Sequence, residues 1–231
     1  MAATQRSPRL RLISSESLDE VVSGEAASGV VPAGPVEAVA PDEAQTSEAE
    51  AKADEELVGR ARRLEARAFE TLYRRHAEFA FNLAVRIQGN ANDVEDVVHD
   101  AFIKAQERLE DLRDSAAFRP WLGSIVVRLV RTKLRRRKLL GALGLTAPEP
   151  VEIDSIAAVD ADPEARALLA QVYALLKTMA ADERIAWTLR YVERHRLETV
   201  AVMMDCSLAT AKRRIARAQR FLSDHFVAPY S

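Results

Sequence analysis

The sequence predicts an all-α protein: two small helical domains joined by a flexible acidic linker, the second containing a helix-turn-helix. Three observations predict it. After residue 54 apolar residues recur at three- and four-residue steps, the period of one helix face. No stretch alternates convincingly with period two. Residues 141–163 hold Gly141, Gly144, Pro148, Pro150 and Pro163 but neither Lys nor Arg, and so divide the periodic sequence in two.

The elements follow in order. Residues 1–54 contain Pro8, Pro32, Pro35 and Pro41 with Gly24, Gly29 and Gly34, and no aromatic residue. Such a segment cannot bury enough apolar surface to offset chain entropy, which predicts a disordered acidic N-terminal extension. Residues 55–140 form the first domain. Phe69, Leu72, Tyr73, His76, Ala80, Leu83 and Ile87 line one face of a long helix that Gly89-Asn90 closes. Asn92 or Asp93 can cap the next helix, whose face is Val94, Val97, Val98, Ala101, Phe102, Ala105 and Leu109. A polar loop over 111–117 follows. Pro120 suits the first turn of a third helix carrying Trp121 through Lys138. Beyond the linker at 141–163, the second domain (164–231) opens with Leu168, Leu169, Val172, Leu175, Leu176 and Met179 at helical spacing.

The formal net charge of −2 conceals segregated charge. Residues 1–56 carry 4 Lys/Arg against 12 Asp/Glu, 57–138 carry 18 against 11, 139–165 none against 6, and 166–231 carry 11 against 6. Two basic blocks separated by an acidic one suggest two modules facing nucleic acid. In the first, Arg128, Arg131, Arg135 and Lys138 fall within about 80° of one another around the helix, opposite Leu122, Ile125, Val126 and Leu129. Residues 128–138 hold seven basic side chains and no acidic one. A solvated face normally mixes signs, because like charges at i,i+4 repel by a few tenths of a kcal/mol. The stripe therefore points to a polyanion rather than to plain solvation.

In the second block, Glu198–Met204 reads as a short helix with Val200, Ala201 and Met204 inward. Asp205-Cys206-Ser207 reads as a tight turn and Leu208–Leu222 as a second helix, the spacing of a helix-turn-helix. Asp205 occupies the position that wants a left-handed residue, and Ser207 is placed to cap the second helix. On that helix Leu208, Ala211, Ile215, Ala218 and Leu222 share one face, while Thr210, Arg213, Arg214, Arg217 and Arg220 share the other. A helix of this kind lies in the major groove, its arginines suited to guanine O6 and N7 or to phosphates. The competing reading is an amphipathic surface helix.

Several function classes fall away. One Cys excludes a disulfide framework and a cysteine zinc cluster. His76, His195 and His225 show no ligand spacing, which predicts no metal. There is no phosphate loop, nucleophile elbow or paired-carboxylate site, so the chain has no catalytic residues, no cofactor and no enzyme activity. No apolar run is long enough to span a membrane, and Arg6, Arg9 and Arg11 precede no signal-peptide core, which predicts a cytoplasmic protein without membrane insertion. His99 reads as a helix-surface histidine before a pH switch, Cys206 as a small buried residue before a redox sensor, and Trp121 and Trp187 as core anchors.

The residues together resemble a bacterial RNA polymerase sigma factor of the extracytoplasmic-function group. Val94-Glu95-Asp96-Val97-Val98-His99-Asp100-Ala101-Phe102 resembles the group's core-binding helix, and Phe118-Arg119-Pro120-Trp121-Leu122-Gly123-Ser124-Ile125 the opening of the helix that engages the −10 element. Ser207-Leu208-Ala209-Thr210-Ala211-Lys212-Arg213-Arg214-Ile215-Ala216-Arg217-Ala218 resembles the −35 recognition helix, and Arg184 falls where the second domain usually has an Arg. The match covers about residues 55–138 and 162–226. It departs from the family pattern at Arg128, where Asn is usual, and at Ser124, His99 and Thr199.

The resemblance implies a factor that binds core RNA polymerase and directs promoter recognition, DNA opening and transcription initiation for a stress- or signal-responsive set of genes. It implies Glu95, Asp96 and Asp100 as polymerase contacts. For −10 DNA it implies Trp121, Arg128, Arg131 and Arg135, with the 111–117 loop helping to trap the non-template strand. For −35 DNA it implies Ser207, Thr210, Lys212, Arg213, Arg214 and Arg217. It further implies an anti-sigma factor as partner. The alternatives are a free-standing helix-turn-helix regulator, which has no need of the first domain's acidic motif, and a helical protein-interaction module, which gives no sequence-selective footprint.

Overall fold

The structure, a computed structural model, describes residues 41–145, 151–156 and 163–226. The first helix, α1 (Pro41–Arg62), starts well before the boundary expected at residue 55. Residues 1–40 of the expected extension lie outside the described residues, but the reading of 41–54 as unable to bury anything needs correction. Asp54 is 2% exposed, with its carboxylate oxygens 2.8 Å from Arg75 Nη1 and 2.8 Å from His76 Nε2. Leu57 and Val58 follow it into the core. The composition argument counts apolar area alone. Here Ala- and Glu-rich sequence with good helix propensity is pinned by one buried carboxylate instead.

Helix α2 (Ala66–Gln88) ends as expected at Gly89, whose φ of 70° lets its N–H reach Val85 O at 2.7 Å. A Cβ there would also stand 3.0 Å from the Tyr173 ring, so only glycine suits both the turn and the approach. Asp93 does stand at the N-cap of α3 (Val94–Glu107), with φ 51°, but its side chain makes no capping bond. It faces Lys133 at 3.2 Å and Arg137 at 3.8 Å instead. Two 3-10 turns, Leu109–Asp111 and Ser115–Ala117, bracket the loop expected at 111–117. Helix α4 (Phe118–Ala142) runs one turn further at each end than Trp121–Lys138, with Pro120 in its first turn.

Part of the acidic linker packs against the first domain. Glu152 N donates to Gly89 O at 3.1 Å, and its carboxylate accepts from Ala91 N at 3.0 Å. The second domain comprises α5 (Pro163–Thr178), α6 (Ala181–Trp187), a π-helical turn (Thr188–Val192), α7 (Leu197–Met203) and α8 (Leu208–His225). Its two-helix motif is as expected: Asp205 has φ 50°, and Ser207 Oγ accepts from Thr210 N at 3.2 Å.

The two domains share one apolar core. Leu83, Leu122 and Val126 belong to the same buried cluster as Ile185, Leu189, Met204 and Ile215. A smaller cluster, with Tyr173, Leu176, Trp187 and Leu222, sits inside the second domain. Close approach is built into the sequence at Gly123, where a Cβ would stand 2.9 Å from Met203 Cε. On the far side of this seam Tyr173 donates to Arg86 O at 2.9 Å.

Candidate promoter and polymerase interface

Two charged surfaces carry the residues singled out from the sequence. The first is the N-terminal half of α3. Val94, Val97, Val98, Ala101 and Phe102 are buried, which turns Glu95, Asp96, His99 and Asp100 to solvent. Glu95 and Asp96 also lie in the helix's first turn, where negative charge is favoured by the macrodipole. None of the three carboxylates makes an ion pair among the described residues.

The second surface is basic, and much of it is engaged within the molecule. On α4, Arg128 Nη2 lies 3.3 Å from Asp205 Oδ2, and Arg131 Nη2 donates to Met204 O at 2.6 Å. Arg131 Nε also lies 3.3 Å from Asp182 Oδ1. Arg135 Nη2 reaches both Asp182 oxygens, at 3.0 and 2.9 Å. From α8, Arg214 Nη2 reaches Asp182 Oδ2 at 2.6 Å, while Arg217 lies 3.7 Å from Glu183. Trp121 is half-buried, its ring 6.0 Å from that of Phe118.

One carboxylate thus gathers three arginines, two from the first domain and one from the second. The side chains of Asp182, Arg131 and Arg214 are 16%, 17% and 22% exposed, so this cluster is largely withdrawn from water. Burial pushes the Arg131 pKa down, and the neighbouring Asp182 charge opposes that shift. The Arg128–Asp205 pair is mostly solvated on both sides, and exposed pairs contribute about 0–1 kcal/mol.

The remaining −35 candidates are arranged differently. Lys212 and Arg213 are exposed and make no ion pair among the described residues. Ser207 and Thr210 bond to each other at 2.9 Å through their hydroxyls. Sequence reasoning had no reason to single out Asp182 or the Met204 carbonyl. The one signal was an acidic pair, Asp182-Glu183, heading a helix inside a basic block.

The sequence matches the Sigma-70 region 2 family over residues 72–139 and the Sigma-70 region 4 family over residues 169–222. It is 31% identical over 173 residues to the RNA polymerase sigma-H factor of Pseudomonas aeruginosa, covering 72% of this chain and 90% of that protein. It is also 31% identical over 183 residues to the ECF RNA polymerase sigma-E factor of Escherichia coli K12, covering 76% and 95%. The chain belongs to the ECF RNA polymerase sigma factors. Among solved structures it is similar to CnrH in complex with the cytosolic domain of CnrY: TM-score 0.50, 26% identity, covering 74% of this chain and 96% of that one.

As a sigma factor the protein binds core RNA polymerase and directs promoter recognition, and it is not an enzyme. The all-α fold matches that role, with the region 2 match spanning α3 and α4 and the region 4 match spanning the helix-turn-helix. Among the described residues no group of three His, Cys, Asp or Glu could hold a metal, and no helix is long and apolar enough to cross a membrane.

Proposed function

We propose that the sigma factor divides its tasks along the boundaries read from its sequence. The domain at 55–140 docks on core polymerase through Glu95, Asp96 and Asp100. It reads −10 DNA with the 111–117 loop, Trp121, Arg128, Arg131 and Arg135. The domain at 164–231 reads −35 DNA with Ser207, Thr210, Lys212, Arg213, Arg214 and Arg217. The observation that carries this reading is the contrast between the two surfaces. The α3 carboxylates stand exposed without ion pairs among the described residues, ready for a basic partner, whereas Arg131 and Arg135 of α4 and Arg214 of α8 converge on Asp182 and must be released before DNA can take its place.

The arrangement described is then a closed one, and promoter binding requires the domains to part. A protein inhibitor that favours this closed arrangement fits the same reading. CnrH is the relative that supports it, having been solved with the cytosolic domain of CnrY. We place the protein in the cytoplasm, serving a stress- or signal-responsive set of genes.

The test is Glu95→Lys combined with Asp96→Lys. Binding to core polymerase should be lost while helical content and thermal midpoint stay within error of the parent. Unchanged polymerase binding would remove α3 from the interface. The free-standing regulator reading predicts that loss of polymerase binding leaves selective promoter binding intact.

A further inference from the structure

The segment joining α3 to α4 carries the loop to which the reading above assigns promoter contact. It has no regular ladder to satisfy its backbone. Leu109 and Leu112 are 5% and 4% exposed and anchor it to the core, while Asp111, Arg113 and Asp114 between and beyond them face solvent. Asp114 Oδ1 accepts from Ala116 N at 3.0 Å and shapes the second turn. Leu109 O accepts from Leu112 N at 3.3 Å. A carbonyl has room for a second bond, and a buried one left unpaired costs as much as a lost hydrogen bond, so both the Leu109 and Leu112 carbonyls are open to side-chain donors.

Arg62, the last residue of α1, supplies them. Its Nη2 donates to Leu109 O at 3.2 Å and to Leu112 O, its Nη1 donates to Ser115 Oγ at 3.3 Å, and its Nε lies 3.9 Å from Glu110. One guanidinium therefore touches four residues across both turns. A planar fork with five donors can do this, and an ammonium cannot. The arm that delivers it is itself fixed, by Asp54 against Arg75 and His76 and by burial of Leu57 and Val58. Arg62 lies outside the matched region 2 segment at 72–139.

We propose that Arg62 is a positioning residue for −10 recognition, holding the 111–117 loop and the turn that leads into it in the conformation that presents the loop's exposed residues to the promoter strand. The inference rests on the reading that this loop contacts −10 DNA. Arg62 itself is turned to the loop's backbone and touches no DNA. Losing it leaves the acidic face of α3 and the helix-turn-helix in place, so its effect is specific to one promoter element.

The test uses full-length protein assembled with bacterial core polymerase. The template is the strongest promoter recovered by mapping run-off 5′ ends, together with single-base variants of its two upstream elements. Arg62→Ala should keep core binding within about twofold yet lower discrimination between the parent −10 element and its variants by about tenfold, with −35 discrimination unchanged. Arg62→Lys, which preserves charge and helix propensity, should fall between the two and guards against a folding defect in the alanine variant. Arg74→Ala, which removes an exposed pair with Glu70, is the control and should change nothing.

A lower thermal midpoint with −10 discrimination intact in both Arg62 variants would overturn the proposal, as would equal loss at both elements. Arg113→Ala with Asp114→Ala separates the two levels. If that double variant leaves −10 discrimination unchanged, the loop reading itself fails. If it changes discrimination and the Arg62 variants do not, only the role of Arg62 fails.

Discussion

Arg135 of α4 sets its Nη2 2.9 and 3.0 Å from the two carboxylate oxygens of Asp182 at the start of α6, so a side chain assigned to −10 DNA is held by the domain assigned to −35 DNA. Arg131 and Arg214 share the same carboxylate. Asp182→Asn would leave three cations facing one another in a partly buried site, where removing one partner costs far more than breaking an exposed pair. The ratio of closed to open molecules should fall about tenfold, equivalent to about 1.4 kcal/mol. A fluorophore pair spanning the two domains should report lower transfer efficiency, and unchanged efficiency would show that the apolar seam around Gly123 and Met203 closes the molecule unaided. High salt should also open the parent, by weakening the attraction to Asp182, whereas in Asp182→Asn it should relieve the repulsion among the three arginines and shift the molecule back towards the closed form.

Arg213 faces solvent without an ion pair among the described residues, so its contribution should be visible without first opening anything. If it reads a base with both donors, Arg213→Ala in the holoenzyme loses about 1–3 kcal/mol and relaxes selectivity at one −35 position. A loss equal on all promoters, with a shallower salt dependence, assigns it to phosphate.

Ser207 is the N-cap of α8, its hydroxyl accepting from Thr210 N. Ser207→Ala should lower stability by about 1 kcal/mol in urea unfolding, while Ser207→Asp, which restores a capping acceptor, should recover most of it. Equal stability in parent and alanine variant would mean that the cap is redundant with packing of Ala211 and Ile215.

Stability should also fall on mild acidification. Burial lowers the His195 pKa from its ordinary value, with Arg119 of the first domain adding to the effect and Glu193 opposing it. Its Nε2 is buried and has no hydrogen-bond partner among the described residues. A histidine that resists protonation when folded binds more protons when unfolded, so stability is full above the ordinary imidazole value of about 6.5 and declines as pH drops from there towards the folded value. Denaturation midpoints of His195→Gln should be flatter than the parent's between pH 7 and about pH 5. Parallel profiles would assign the acid sensitivity to another group.

Much of this was legible from the sequence because the signals were local. Gly89, Asp205 and Ser207 announce a helix end, a left-handed turn and a cap, and each does what its own chemistry dictates. The faces of α3 and α8 follow from periodicity alone. What stayed hidden was long-range. Asp54, in a segment of disorder-prone composition, is buried because residues 21 and 22 positions later supply its partners. Arg131 and Arg135 read as a free polyanion-binding stripe, since nothing in their neighbourhood in sequence announces a carboxylate at position 182. Arg62 gave no signal for the same reason, because its ligands are carbonyls 47 and 50 residues away.

Joined to core polymerase, this chain is expected to select promoters through two DNA-reading domains. The most direct measurement is run-off transcription with purified bacterial core polymerase on fragmented genomic DNA, sequencing the 5′ ends. Discrete starts that share two upstream elements and vanish when the protein is omitted are the expected result. An absence of starts, together with no binding to core polymerase, would contradict it.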